Sequence, residues 1–165
     1  IISDYGKGVC NGNIVSSIIL CAQKFKIPVF IDPKGKKWDK YRYANYITPN
    51  KKEAEIVLGR ELNSNDDFVV AGMEIKKKFD IESVIITRGN KGMTYISDDQ
   101  IIHIPSKAKN VFDVSGAGDT VISCFATAIC NDNIISDSLK FANRAAGYVV
   151  GRFGTSPVRL DKIKY

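Results

Sequence analysis

The stretch Asp113-Val114-Ser115-Gly116-Ala117-Gly118-Asp119-Thr120 decides how the rest of the chain is read. Two glycines and an alanine stand between two aspartates. An apolar pattern of helical spacing follows at once, through Val121, Ile122, Cys124, Phe125, Ala128 and Ile129. A glycine-rich turn that feeds a helix offers amide donors and the positive end of a helix dipole. That combination suits an anion. A carboxylate in the same turn can accept a proton from a hydroxyl that attacks the bound anion. The turn therefore points to phosphoryl transfer to an alcohol.

Upstream, short apolar strands alternate with helical patterns. Ile1 to Ser3 reads as a strand end, and Asn11 to Lys26 carries Ile14, Ile18, Ile19, Ala22 and Phe25 at helical spacing. Pro28 to Ile31 is a strand closed by Asp32-Pro33, and Tyr46 to Thr48 is another, closed by Pro49. Asn50 is an N-cap for a helix through Leu58, with Glu53 at the third position of a capping box and Gly59 as the stop. A second amphipathic helix spans Asn65 to Phe79, and Ser83 to Thr87 is strand-like. Gly92 to Ile96 and Gln100 to Ile104 alternate around Ser97-Asp98-Asp99, the pattern of a hairpin. Helices are expected at Thr120 to Cys130 and Ser138 to Val150. This order predicts a three-layer α/β/α fold with a mainly parallel sheet. Ligands of open α/β sheets lie beyond the carboxyl ends of the strands. Asp4 to Gly8, Asp32 to Lys34, Thr48 to Glu53 and Thr87 to Gly92 are expected there, together with the glycine-rich turn.

The chain has 165 residues, 44% hydrophobic and 25% charged, enough for one domain with a core. Its net charge of +6 favours anionic ligands. The lysines and arginines are scattered, so small anions are favoured over nucleic acid. Lys76-Lys77-Lys78 reads as a solvated helix end that complements the dipole. Cys10, Cys21, Cys124 and Cys130 form no C-x-x-C pair and read as reduced thiols of a cytoplasmic protein. No run of about 18 apolar residues predicts a membrane span. Ile1-Ile2-Ser3-Asp4 reads as a strand end, which leads to the expectation that the chain starts inside a domain.

The Asp-x-x-Gly-Ala-Gly-Asp turn at 113–119 resembles the signature of the PfkB (ribokinase-like) carbohydrate kinases. With it go Asn50-Lys51-Lys52-Glu53 and Thr87-Arg88-Gly89 followed by Gly92. The order and spacing are similar over nearly the whole chain. Ser3-Asp4-Tyr5-Gly6-Lys7-Gly8, Asp32-Pro33-Lys34 and Ile47-Thr48-Pro49-Asn50 are similar to the heptose-7-phosphate kinase branch, the kinases of ADP-heptose synthesis. The resemblance implies a ribokinase-like fold, of which residues 1–165 would be the C-terminal portion of a single kinase domain. It implies ATP-dependent transfer to a sugar or sugar-phosphate hydroxyl, in the cytoplasm, with a homodimer as the full-length form. The part that supplies most sugar contacts and the lid would lie outside this chain, so the chain alone is expected to be inactive.

Residue by residue, the resemblance implies Asp119 as the general base and the amides of Gly116, Ala117 and Gly118 as donors to the transferring phosphoryl group. Asn50 and Glu53 would organise Mg²⁺ and phosphate through water. Thr87, Arg88 and Gly89 would flank the phosphates and ribose of ATP. Asn143 matches a position beside the adenine; as residues alone it also reads as a surface helix asparagine. Asp113 and Ser115 match positions that hold a monovalent cation such as K⁺ in many relatives, although Ser115 replaces the commoner Thr and Val114 departs from the wider pattern. Lys7 and Lys34 follow strand-end carboxylates and read either as phosphate-binding cations or as solvated loop lysines. His103 reads as an edge-strand residue, and Trp38, Tyr41 and Tyr43 as loop packing. Other sugar kinases of the family, of the ribokinase or fructose-1-phosphate kinase type, stay open, as does a nucleotide-binding module without chemistry.

Overall fold

Six strands and five helices run through the computed structural model, which describes residues 1–108 and 111–163. The strands are β1 (Ile2–Ser3), β2 (Phe30–Asp32), β3 (Tyr46–Ile47), β4 (Ser83–Thr87), β5 (Met93–Ile96) and β6 (Ile101–Ile104). The helices are α1 (Gly12–Lys24), α2 (Lys51–Leu58), α3 (Asn65–Phe79), α4 (Ala117–Ile129) and α5 (Ile135–Val150). One sheet holds the strands in the order β1-β2-β3-β4-β5-β6. The chain forms two compact units, Ile1–Thr87 with Thr94–Ile102, and Arg88–Met93 with His103–Tyr165.

In the first unit β1 to β4 are parallel, with Ile2 opposite Ile31, Ile31 opposite Ile47 and Ile47 opposite Val84. Parallel strands need crossovers, and α1 and the pair α2–α3 supply two of them. The helices form where the sequence caps them. Asn11 accepts the Ile14 amide at 3.1 Å at the start of α1. Asn50 and Glu53 close a reciprocal capping box on α2, and Gly59 ends it at φ 72°. Ser64 and Asp67 make a second box on α3. The core collects Val15 and Ile19 of α1, Ala54 and Val57 of α2, and Phe68, Ala71, Ile75 and Phe79 of α3. They pack with Ile31, Ile47, Val84 and Ile86 of the strands, so all three helices cover one sheet face. Phe30 and Tyr46 belong to the alternate positions and stack at 4.8 Å.

The hairpin is present: the Ser97 amide donates to the Gln100 carbonyl at 2.9 Å between β5 and β6. The triple lysine differs from expectation. Lys76 is buried, donates to the Glu82 carbonyl and pairs with Asp98 at 3.1 Å. The turn of the hairpin supplies that carboxylate, so the first lysine has a partner inside the unit rather than water.

In the second unit α4 and α5 pack together, and Val121, Ile122 and Phe125 of α4 and Leu139, Ala142 and Ala145 of α5 are buried. Both helices begin three residues before the expected starts, at Ala117 instead of Thr120 and at Ile135 instead of Ser138. The left-handed Gly116, at φ 77°, opens α4. Asp137 falls in the first turn of α5, where a carboxylate suits the dipole. Gly147 lies where a Cβ would stand 3.2 Å from the Ala108 amide nitrogen, so its smallness serves backbone approach.

Candidate functional site

The carboxyl ends of four parallel strands bring their loops to one edge of the first unit. The Asp4 amide donates to the Asp32 carbonyl at 2.9 Å, and the Thr48 amide to Ile31 at 2.8 Å. Asn50 and Thr87 form a parallel bridge beyond β3 and β4. Asp32 and Thr87 at the strand ends, and Asp4, Lys34, Thr48 and Asn50 just beyond them, therefore sit side by side, as the topology of open sheets predicts.

Asn50 and Glu53 are a structural box and a polar cluster at once. The Asn50 side-chain oxygen accepts the Glu53 amide at 2.9 Å, and Glu53 Oε2 accepts the Asn50 amide at 3.0 Å. Glu53 Oε1 accepts Lys34 Nζ at 3.1 Å. The hydrogen bond to Glu53, and then its charge, raise the Lys34 ammonium above the ordinary lysine value. The pair joins the loop after β2 to the N-terminus of α2.

Behind Lys34 lies a network centred on Tyr41, a residue expected only to pack a loop, and Asp4. Tyr41 is fully buried and donates its hydroxyl hydrogen to Asp4 Oδ2 at 2.7 Å. The same hydroxyl oxygen accepts the Lys34 amide at 3.2 Å. Lys40 Nζ pairs with Asp4 Oδ2 and donates to the Cys10 carbonyl at 2.9 Å. Asp4 Oδ1 accepts the Gly6 amide at 2.7 Å. Burial raises the Asp4 carboxyl, but the bonds from Lys40, Tyr41 and Gly6 together outweigh it and hold the group below the usual range. Tyr43, by contrast, is half exposed.

The second unit holds the glycine-rich turn. Asp113 Oδ1 accepts the Ser115 amide at 2.8 Å and Oδ2 accepts the Gly154 amide at 3.2 Å. The Ser115 amide leads the causes that lower the Asp113 carboxyl. Gly116 caps α4 in the left-handed region. A Cβ built on Gly118 would meet nothing within 4 Å, so the first turn of α4 is open on that side. Asp119 is the third helical residue, and its side chain is exposed. Of the three amides expected to serve an anion, that of Ala117 donates to the Val114 carbonyl at 3.2 Å.

Arg88 to Gly92 form a tight turn in which the Arg88 amide donates to the Gly92 carbonyl at 2.7 Å and Arg88 Nη2 to the Lys91 carbonyl at 3.2 Å. Burial lowers the Arg88 guanidinium. Gly89 and Gly92 both have positive φ. Asn143 is no surface asparagine. It is buried and donates from Nδ2 to the Pro105 carbonyl at 2.8 Å, tying α5 to the segment after β6. His103 is exposed on β6, at the end of the strand order. Among the described residues, no three or more His, Cys, Asp or Glu side chains form a metal cluster, and no helix is long and apolar enough to cross a membrane.

The description "pfkB family carbohydrate kinase" matches residues 3–162. The chain is 45% identical to the bifunctional protein HldE of Aeromonas hydrophila over 100% of its own length and 35% of that relative's. It is 39% identical to the bifunctional protein HldE of Rhodospirillum rubrum over 96% of its length and 32% of that relative's. The chain thus spans about a third of the curated relatives it matches. Among solved structures it resembles phosphofructokinase-2 from Escherichia coli in complex with potassium, with a TM-score of 0.81 at 21% identity over 92% of this chain and 50% of that one. It also resembles Arabidopsis thaliana ribokinase complexed with ribose and ATP, with a TM-score of 0.80 at 23% identity over 88% and 48%. The fold is the three-layer α/β/α ribokinase-like arrangement expected from the sequence. The chain belongs to the pfkB family of carbohydrate kinases.

Proposed function

We propose that the protein containing this chain transfers the γ-phosphoryl group of ATP to a hydroxyl of heptose 7-phosphate, as a sugar kinase of ADP-heptose synthesis. The single observation that carries this reading is the turn at Gly116 to Asp119. A left-handed glycine opens α4, an open glycine follows, and an exposed carboxylate stands in the first turn. The similarity to bifunctional HldE proteins supports the heptose substrate over ribose or fructose 1-phosphate.

In this reading Asp119 accepts the proton of the attacking hydroxyl. The Gly116 and Gly118 amides donate to the oxygens of the transferring group, where charge builds. Lys34 neutralises phosphate charge. Thr87, Arg88 and Gly89 flank the phosphates and ribose of the nucleotide, and Asn143 stands beside the base.

Asn50 and Glu53 fit Mg²⁺ by chemistry: their donors are hard oxygens, and Mg²⁺ keeps most of its waters. Their oxygens already accept hydrogen bonds within the capping box and from Lys34, so they would hold the ion through water. Bound there, Mg²⁺ would screen the charge of the phosphates. The same reading puts K⁺ at Asp113 and Ser115, where both Asp113 oxygens already accept amides. Exchanging KCl for LiCl tests that element by itself.

The deciding experiment measures ADP release by the full-length protein with Mg·ATP and a panel of heptose 7-phosphate, ribose, fructose 1-phosphate and fructose 6-phosphate. Heptose 7-phosphate is expected to give the highest kcat/KM. A higher kcat/KM on another sugar would overturn the substrate, and nucleotide binding without turnover on any sugar would overturn the kinase reading.

A further inference from the structure

Tyr41 and Asp4 are buried and Lys40 is partly buried, and the proposed chemistry uses none of these titratable groups. They lie between the exit of β1 and the loop that follows β2. Tyr41 and Trp38 are completely buried, an unusual depth for residues around a short 3-10 turn at Asp39–Tyr41. Both point polar atoms at one loop. The Tyr41 hydroxyl accepts the Lys34 amide at 3.2 Å, and Trp38 Nε1 donates to the Gly35 carbonyl at 2.9 Å. The loop is thereby clamped on either side of the Lys34 backbone. The clamp itself is held by Asp4, which binds the Tyr41 hydroxyl and the Lys40 ammonium with one oxygen and the Gly6 amide with the other.

A buried hydroxyl that donates to a carboxylate has one direction for its hydrogen. Its lone pairs are then fixed toward the Lys34 amide, so the Asp4 charge sets the orientation of the acceptor. Lys34 carries a long, rotamer-rich side chain that is half exposed at its tip. Its contact with Glu53 depends on where its backbone is placed. Gly35, at φ 74°, follows directly, in a conformation that gives the loop little restraint of its own.

We propose that Tyr41, oriented by Asp4 and Lys40, is a positioning residue that fixes the backbone of Lys34 and so aims its ammonium at the Glu53 end of the site. The proposal rests on the role given to Lys34 above. It assigns phosphate affinity, rather than sugar choice, to a fully buried group behind Lys34.

The experiment is a double-mutant cycle on the full-length protein, with Tyr41→Phe, Lys34→Met and the double variant. Calorimetry measures Mg·ATP affinity, steady-state kinetics separate KM from kcat, and a thermal melt reports folding. Tyr41→Phe removes one oxygen and is expected to weaken Mg·ATP binding about tenfold through Lys34, with KM for ATP rising more than kcat falls. In the Lys34→Met background the same change is expected to have little effect, because neighbours that act as one unit are not additive. Equal effects of Tyr41→Phe in both backgrounds would reduce Tyr41 to core packing and overturn the proposal. If Tyr41→Phe does not fold, Lys40→Gln enters the cycle in its place, with the same two outcomes. Wild-type protein that binds no Mg·ATP would instead overturn the role of Lys34 and the function proposed above, a result visible before any variant is compared.

Discussion

Lys34 Nζ stands 3.1 Å from Glu53 Oε1, which links the loop after β2 to the cap of α2 across 19 positions of sequence. The lysine side chain is 54% exposed and the glutamate 12%. An ion pair with one solvated partner contributes little to folding. Against a phosphate the same ammonium forms charge-assisted bonds, which are stronger.

That contrast separates stability from affinity. Lys34→Met is expected to change folding free energy by less than about 0.5 kcal/mol. Mg·ATP binding by the full-length protein is expected to weaken by about tenfold or more. Thermal melts and calorimetry on one preparation check both. A large loss of stability with unchanged binding would make the pair structural.

Asp119→Asn in the full-length protein keeps the size of the side chain and removes the base. The expected result is a fall in kcat of about a hundredfold to ten-thousandfold. Mg·ATP affinity and melting temperature are expected to stay within error, since Asp119 is exposed in the first turn of α4. Unchanged turnover would remove Asp119 from the chemistry.

The parts that were legible in the sequence are those written in local spacing. Asn50, Glu53 and Gly59 announce α2 because a cap acts across three residues and a left-handed stop needs only one. The Gly116 to Asp119 turn is legible for the same reason. Tyr41 and Asp4 meet across 37 positions, and nothing near either residue signals the other. The available clue was chemical: a tyrosine in a buried loop needs a hydrogen-bond partner. Lys76 was misread because its carboxylate arrives on the β5–β6 hairpin, 22 residues later, and only the fold brings it near. Of the two readings open for Asn143, the surface one fails because its acceptor, Pro105, lies 38 residues earlier and only the fold brings it near.

Gly92 and Gly118 differ in what a methyl group would meet. At Gly92 a Cβ would stand 1.9 Å from the Ile104 carbonyl oxygen, at a φ of 88°. At Gly118, inside α4, it would meet nothing within 4 Å. Gly92→Ala is expected to destabilise the protein by about 3 kcal/mol or more, through a backbone clash and strain together. Gly118→Ala is expected to be neutral or to stabilise α4 by up to about 1 kcal/mol. Urea denaturation of the two variants measures the difference, and similar losses for both would contradict the geometry.

The Asp4 network also sets a dependence on pH. Burial opposes the Asp4 charge, but the bonds from Lys40, Tyr41 and Gly6 prevail, so the folded carboxyl titrates below its unfolded value. A lowered carboxyl contributes stability that is present above the unfolded value, about 4, and is lost as pH falls through the folded value. Tyr41 has the opposite sign. Burial first, and the bond to Asp4 second, raise its phenol far above the ordinary value. That contribution is present below about pH 10 and is lost as pH rises. The network therefore stabilises the fold fully between about pH 4 and pH 10. Asp4→Asn removes the charge and leaves Lys40 without its ion-pair partner, at an expected loss of about 3 kcal/mol at pH 7. The gap between wild type and Asp4→Asn is expected to narrow as pH falls below about 4, and to close only once the folded carboxyl, with its lowered value, is protonated too. Melts at pH 7, 5 and 3 measure it, and a gap that stays constant with pH would show that packing, not the Asp4 charge, holds the clamp together.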